Sequence, residues 1–128
     1  MAEQQTGDTE KCADIAPMDA ETYTREAHKF ATYGGNIMYP ALGLGEEAGE
    51  ALGKMAKWIR KHGGSADGID EDPALRSDMK KELGDCAWMM NELIIRFGLT
   101  WGEVMAYNVA KLADRKSRGV IIGSGDDR

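Results

Sequence analysis

The sequence predicts an all-α protein built as a four-helix bundle. Four segments carry apolar residues at helical spacing, most of them are bounded by residues that favour helix ends, and no series of alternating apolar and polar residues indicates strands. At 128 residues the chain suits one domain with one core. We expect a disordered, flexible leader over residues 1–18, a single domain over residues 19–128, and a non-helical, glycine-rich tail at its end.

The first two helices are predicted from their ends. Asp19 is a suitable N-cap for the first helix, which we expect to stop at the glycine pair 34–35. Pro40 is tolerated in the first turn of the second helix, which ends in basic residues before the glycine pair 63–64. The second helix also contains four glycines, which suggest that something packs closely against its backbone. These are Gly43, Gly45, Gly49 and Gly53.

The last two helices follow an acidic, glycine-containing surface loop, "SADGIDED". Asp72 can cap a third helix that begins at Pro73 and runs to Gly98. Thr100 and Glu103 have the spacing of a capping box, in which each side chain accepts a hydrogen bond from a backbone N–H of the first turn. A fourth helix is therefore predicted to begin after Thr100.

An apolar stripe runs along each of the two central helices when residues are placed at about 100° intervals. We predict that these two stripes form the core. On the second helix the stripe comprises Leu44, Ala48, Ala51, Leu52, Met55, Trp58 and Ile59, and on the third it comprises Met79, Leu83, Cys86, Met90, Leu93, Ile94 and Phe97.

Composition excludes several classes of function. The formal net charge of -6 lacks the basic character of a protein that grips a nucleic-acid polymer. No apolar run approaches the roughly 20 residues needed to cross a membrane. The two cysteines, Cys12 and Cys86, lie in dissimilar contexts, so we expect no structural disulfide. A cytoplasmic protein is the expectation.

Two pairs of acids lie beside the apolar stripes. Glu47 and Glu50 on the second helix, and Glu82 and Asp85 on the third, are each spaced i and i+3, so that both carboxylates of a pair point in nearly the same direction. Two such pairs on facing helices can surround a hard cation, whereas four carboxylates packed without one would repel each other. Mg²⁺ is the natural cation because it prefers oxygen ligands and commonly joins protein carboxylates to phosphates.

The residues alone leave a second interpretation open. Acids at this spacing are usually part of a solvated helix face, and nothing in the pattern excludes that here. Zinc and di-iron sites are disfavoured because neither helix has the Glu-x-x-His pattern, and His28 and His62 are isolated in the sequence.

The same acids carry a resemblance to a known family. "EEAGE" (Glu46, Glu47, Glu50) followed by "ELGD" (Glu82, Asp85) resembles the EExxE…ExxD signature of the MazG-like all-α nucleoside triphosphate pyrophosphohydrolases. The segments "YPALGLGEEAGE" and "NVAKLADRKSRGVIIGSGDDR" also look like stretches of the small, single-domain members. Together the matching stretches extend over roughly residues 20–128.

The resemblance implies a role for each acid. Glu47, Glu50, Glu82 and Asp85 would bind Mg²⁺, for which Mn²⁺ is a substitute. Glu46 would act in catalysis, as an outer-shell ligand or as the base that orients a water molecule.

Basic and amide side chains are the candidates for substrate binding. Asn108, Lys111 and Arg115 match the phosphate-contacting final helix of the family, although by spacing alone the two cations could be an exposed basic stripe. Lys54, one turn beyond Glu50, could contact a phosphate or form an i, i+4 ion pair with Glu50.

The resemblance implies Mg²⁺-dependent hydrolysis of nucleoside or deoxynucleoside triphosphates to the monophosphate and pyrophosphate, by a homodimer or homotetramer. Two alternatives remain: a narrower house-cleaning hydrolase for dUTP or dCTP, and a non-catalytic helical module that binds a partner. Tyr39 and Trp58 are candidates to stack on the nucleobase.

Overall fold

The computed structural model describes residues 15–123 and residue 125. Within them the chain is helical and contains no strand, which confirms the all-α prediction. The elements are α1 (Ala20–His28), α2 (Met38–Lys61), α3 (Pro73–Arg96) and α4 (Trp101–Ser117), with a short 3-10 helix, Ile69–Glu71, in the loop before α3. Most of the predicted leader, and residues 124 and 126–128 of the tail, lie outside the described residues.

The predicted N-caps are confirmed. Asp19 accepts a hydrogen bond from the backbone N–H of Thr22 at 2.7 Å. Asp72 accepts from two backbone N–H groups of α3, at 2.8 and 2.9 Å. Thr100 and Glu103 form the complete capping box at the start of α4. Local sequence chemistry therefore determines where these three helices begin.

The first helix is shorter than predicted. It ends at His28 and not at the glycine pair 34–35, although both glycines have positive φ angles, 70° and 74°, as the turn requires. The chain leaves the helix early because His28 and Tyr33 both contact Glu92 of α3, so the segment between them turns toward that helix.

Helices α2 and α3 form the main packed pair and run antiparallel. Gly43 lies against Met89, while Lys54, later on α2, reaches Asp78, earlier on α3. A Cβ at Gly43 would stand 2.6 Å from the sulfur of Met89, which confirms close packing at this glycine. For the other three glycines the prediction is wrong among the residues that the structure describes, because a Cβ at each would meet none of them within 4 Å.

The predicted core stripes are only partly buried. Ala51 and Ile94 are buried, but Leu52, Leu83 and Phe97 are exposed, by 66%, 57% and 68%. The reason lies in how the other helices pack: α1 lies against α3, and α4 packs chiefly against α1. No described helix covers these three residues, of which Leu83 and Phe97 lie on one side of α3.

Among the helices of residues 15–123, none combines the length and the apolar character that a membrane crossing requires.

Candidate functional site

Three of the predicted ligands come together where α2 and α3 pack. Carboxylate oxygens of Glu47, Glu82 and Asp85 all lie within 4.8 Å of one another. Glu82 is buried, Glu47 is half-buried and Asp85 is exposed, so the group extends from the helix interface to the surface. We call these three residues the acid cluster.

The acid cluster is electrostatically unfavourable without a counter-ion. Burial, followed by the nearby charge of Asp85 and smaller contributions from other acids, raises the pKa of the Glu47 carboxyl above its usual value. Burial and the charge of Glu82 raise the pKa of Asp85. Both carboxyls are therefore destabilised in their charged form, as expected where acids share a small volume without a cation.

The other two acids of the EEAGE motif lie outside the acid cluster. Glu46 and Glu50 are both exposed on α2, and neither belongs to the group whose oxygens come within 4.8 Å of one another. Their charges nevertheless contribute to the raised pKa of Glu47, so both are close to the site. The metal-ligand role of Glu50 and the catalytic role of Glu46 remain predictions.

Lys54 lies at the edge of the acid cluster. Its Nζ is 3.6 Å from a carboxylate oxygen of Glu82 and 3.7 Å from one of Asp78, both on α3. The structure therefore pairs Lys54 across the helix interface, in contrast to the predicted i, i+4 partner, Glu50. Asp78 was absent from the sequence prediction, although it stands one turn before Glu82 on the same side of the helix.

The residues of the final helix lie apart from the acid cluster. Asn108 and Lys111 line a separate pocket of about 520 Å³ together with Tyr107, and the Lys111 Nζ is 6.0 Å from the centre of the Tyr107 ring. Arg115 is buried, with 5% of its surface exposed. Because α4 makes no extensive contact with α2 or α3, the described chain does not bring these residues to the acids. Their substrate-binding roles stay predictions.

The two aromatic candidates for base stacking already have partners. Tyr39 stacks on Tyr33, with ring centres 4.7 Å apart. Trp58 stacks on His62, and its indole N–H donates a hydrogen bond to Asp72 at 2.8 Å. Both rings therefore hold local structure together.

A polar cluster around Glu92 was missed by the sequence prediction. The Glu92 carboxylate is almost fully buried, lies 2.8 Å from His28 Nδ1 and accepts a hydrogen bond from the Tyr33 hydroxyl at 3.1 Å. Asn91 donates to Glu92 and accepts from the indole of Trp101. His28, which is isolated in the sequence, thus has a carboxylate partner in the fold. The spacing of the sequence could have indicated this position, because Glu92 stands seven residues after Asp85 and so lies on the same side of α3.

Comparison with known proteins relates the chain to a phage protein. No family model matches the chain. No solved structure matches it either. Over 92 residues the chain is 38% identical to the Gene 37 protein of Mycobacterium phage L5, an alignment that covers 72% of this chain and 76% of that protein. At this identity and coverage, the chain belongs to the same family as the phage L5 Gene 37 protein.

Proposed function

We propose that this protein is a Mg²⁺-dependent hydrolase that converts nucleoside or deoxynucleoside triphosphates to the monophosphate and pyrophosphate. The observation that carries the proposal is the acid cluster: Glu47, Glu82 and Asp85 present their carboxylate oxygens to one small volume. These are three of the four ligand positions in the EExxE…ExxD pattern that resembles the MazG-like pyrophosphohydrolases.

The acid cluster suits a hard divalent cation. All three side chains offer oxygen, the donor that Mg²⁺ and Mn²⁺ prefer, and their mutual spacing allows one ion to contact them together. Burial and the neighbouring acids raise the pKa of both Glu47 and Asp85, and a bound cation would offset the repulsion between these carboxylates. When bound, the metal would lower the pKa of a water molecule and neutralise charge on the phosphates.

The protein's own side chains would position and neutralise the substrate. Lys54 already lies beside the cluster and can turn from Glu82 toward a phosphate as a mobile point charge. Glu46 is exposed next to Glu47 and is the candidate to orient the attacking water. Glu50 is the candidate fourth ligand, because its charge is close enough to affect the pKa of Glu47.

The proposal is tested by incubating the purified protein with each nucleoside triphosphate and Mg²⁺ and identifying the products by ion-exchange chromatography. Monophosphate and pyrophosphate are expected. Asp85→Ala and Glu50→Ala should each lower the rate by more than about 100-fold, because loss even of a residue that only supports a metal ligand typically costs about 10- to 100-fold. Asp70→Ala, an exposed acid in the loop before α3, is the matched control and should retain activity. Pyrophosphate release that survives both ligand substitutions contradicts the proposal.

The same assay separates the narrower alternatives. Comparing kcat/KM across nucleotides distinguishes a broad hydrolase from one specific for dUTP or dCTP. Isothermal titration that detects binding of neither Mg²⁺ nor nucleotide would favour a non-catalytic interaction module.

We infer further that the protein assembles as a homodimer or homotetramer. Leu83, Met90 and Phe97 recur every seven residues along α3 and so form one line on the helix, yet each is at least 36% exposed. Leu52 on α2 is exposed to a similar extent. An apolar face of this kind on a small chain is typical of an interface between copies.

A further inference from the structure

An open pocket of about 420 Å³ lies between α1 and α3, beside the acid cluster. Tyr23 and Phe30 line it from α1 and the turn that follows, and Gly84, Asp85 and Trp88 line it from α3. Asp85 belongs both to this pocket and to the acid cluster, so the two sites adjoin. A ligand with a charged part and a flat apolar part could occupy both at once.

The lining of the pocket suits an aromatic ring. Tyr23, Phe30 and Trp88 supply three aromatic side chains, and the ring of Phe30 is 69% exposed and therefore free to contact a ligand. Apart from the Asp85 carboxylate, which belongs to the acid cluster, few polar groups of the lining are available to a ligand. The Glu26 carboxylate is held by Arg25 and Lys29, at 3.1 and 2.6 Å.

Trp88 and Tyr23 can form few hydrogen bonds with a ligand in the pocket. The indole Nε1 of Trp88 is buried, so that ring can present only carbon atoms to a ligand. Burial, with the charges of Asp85 and Glu92, raises the pKa of Tyr23, so its hydroxyl stays protonated and is one donor. Contact with ring faces is thus the main interaction that the pocket can make.

Gly84 keeps one wall of the pocket open. It lies in the interior of α3, where glycine costs about 1 kcal/mol relative to alanine. A Cβ at Gly84 would meet nothing within 4 Å, so no packing constraint from residues 15–123 requires glycine at this position. A larger side chain at residue 84 would instead take up space beside Asp85 and Trp88.

We propose that this pocket holds the nucleobase of the substrate by stacking on Phe30 and Trp88, without reading the base's hydrogen-bonding edge. The proposal rests on the proposed function, in which the phosphates of the same nucleotide lie at the acid cluster. Every nucleobase has an aromatic face, so stacking tolerates all of them. The kcat/KM values for the four deoxynucleoside triphosphates should therefore agree within about tenfold.

The test compares substrates with and without a base. The variants are Phe30→Ala, which removes an exposed ring, and Gly84→Leu, which fills the pocket. Each should lower kcat/KM for all four deoxynucleoside triphosphates by roughly 10- to 100-fold, the range expected for loss of one stacking contact. Binding of inorganic tripolyphosphate in the presence of Mg²⁺, measured by isothermal titration, should persist because this probe has no base.

Two substitutions serve as controls. Gly84→Ala adds only a methyl group and should reduce activity far less than Gly84→Leu. Gly102→Leu places the same side chain in a helical glycine of α4 that lies outside the pocket, and it should leave nucleotide hydrolysis unchanged. Because Phe30 is exposed, Phe30→Ala remains informative even if Gly84→Leu fails to fold.

The outcomes separate the two proposals. Wild-type hydrolysis that neither variant reduces, or a preference for one base of more than about 1000-fold, would overturn the base pocket and leave the proposed function standing. A wild-type protein that hydrolyses no nucleotide and binds no tripolyphosphate with Mg²⁺ would overturn the proposed function, and the base pocket with it.

Discussion

At the scale of single residues, the most informative feature is the unfavourable electrostatic environment of Glu47 in the acid cluster. This carboxylate is partly buried and lies near four other acids, and its raised pKa reports both effects. An arrangement that costs stability without a ligand is typical of a site selected for binding. The charge of Lys54 on Glu82 offsets only part of this cost, because one ammonium faces several carboxylates.

Glu47→Gln should therefore stabilise the metal-free protein. In the presence of a chelator we expect the free energy of unfolding to rise by roughly 1 kcal/mol, because one of the mutually repelling charges is removed. The melting temperature of the wild type should increase when Mg²⁺ is added, and that of the variant should not. Differential scanning calorimetry with and without Mg²⁺ measures both effects. Glu71→Gln, in the loop before α3, is the control and should retain the response to Mg²⁺.

The N-cap of α3 gives a pH-dependent prediction. The backbone N–H of Leu75, followed by the indole N–H of Trp58, lowers the pKa of the Asp72 carboxyl. Because the pKa is lower in the folded state than in the unfolded state, the charged carboxylate stabilises the protein above about pH 4. This stabilisation is lost as the pH falls through the pKa of the folded state. Asp72→Asn should therefore unfold at lower urea than the wild type at pH 7, and the difference should shrink near pH 2.5.

Urea unfolding followed by circular dichroism at both pH values measures this difference. Asp70→Asn is the control, because Asp70 makes no capping hydrogen bond among those described. This variant should unfold at the same urea concentration as the wild type at either pH. If Asp72→Asn is destabilised relative to the wild type by as much at pH 2.5 as at pH 7, the charge of Asp72 is not what stabilises the protein.

At the scale of elements, α1 and the segment after it are held to α3 largely through Glu92. The contact between α1 and α3 is small compared with the α2–α3 interface. Glu92 receives contacts from His28 at the end of α1 and from Tyr33 in the following segment. The buried Glu92 carboxylate therefore helps to position Tyr23 and Phe30, which line the pocket between α1 and α3.

Glu92→Leu should destabilise the protein by about 1–3 kcal/mol, because the buried Asn91 and the half-buried Tyr33 would each lose a hydrogen-bond acceptor. His28 is half exposed and can turn to water, so it adds little to this cost. We expect hydrogen exchange to accelerate in the amides of α1 more than in those of α2. Glu71→Leu, the same change at an exposed position, should alter neither quantity appreciably. Unchanged exchange in α1 would show that other contacts hold it.

At the scale of the whole molecule, the described residues leave an apolar side of the α2–α3 pair uncovered. The periodicity of α3 places Leu83 and Met90 on one line, two turns apart, and both are exposed. A second copy that packs against this side would complete a four-helix core from two α2–α3 pairs, and α1 and α4 would remain outside it. The predicted core stripe then becomes an interface instead of an interior.

The oligomeric state tests this arrangement. The wild type should elute with at least twice the mass of the chain in size-exclusion chromatography with light scattering. The double variant Leu83→Lys, Met90→Lys should shift toward the monomer, because charged residues are poorly tolerated in the centre of an interface. Ile15→Lys, which changes an exposed apolar residue that precedes α1 and belongs to neither α2 nor α3, should not change the mass. A monomeric wild type at micromolar concentration would contradict the inference.

The sequence by itself determined that the described chain is helical and where three of its helices begin, because the caps at Asp19, Asp72 and Thr100 depend on interactions between residues two or three positions apart. It also placed Glu47, Glu82 and Asp85 on one side of their helices. Only the tertiary structure decided which side chains meet: that Lys54 pairs across to α3, that Glu92 draws in His28, and that Leu83 stays exposed. Those contacts depend on how helices far apart in the chain pack, and helical periodicity gives the direction of a side chain but not its partner.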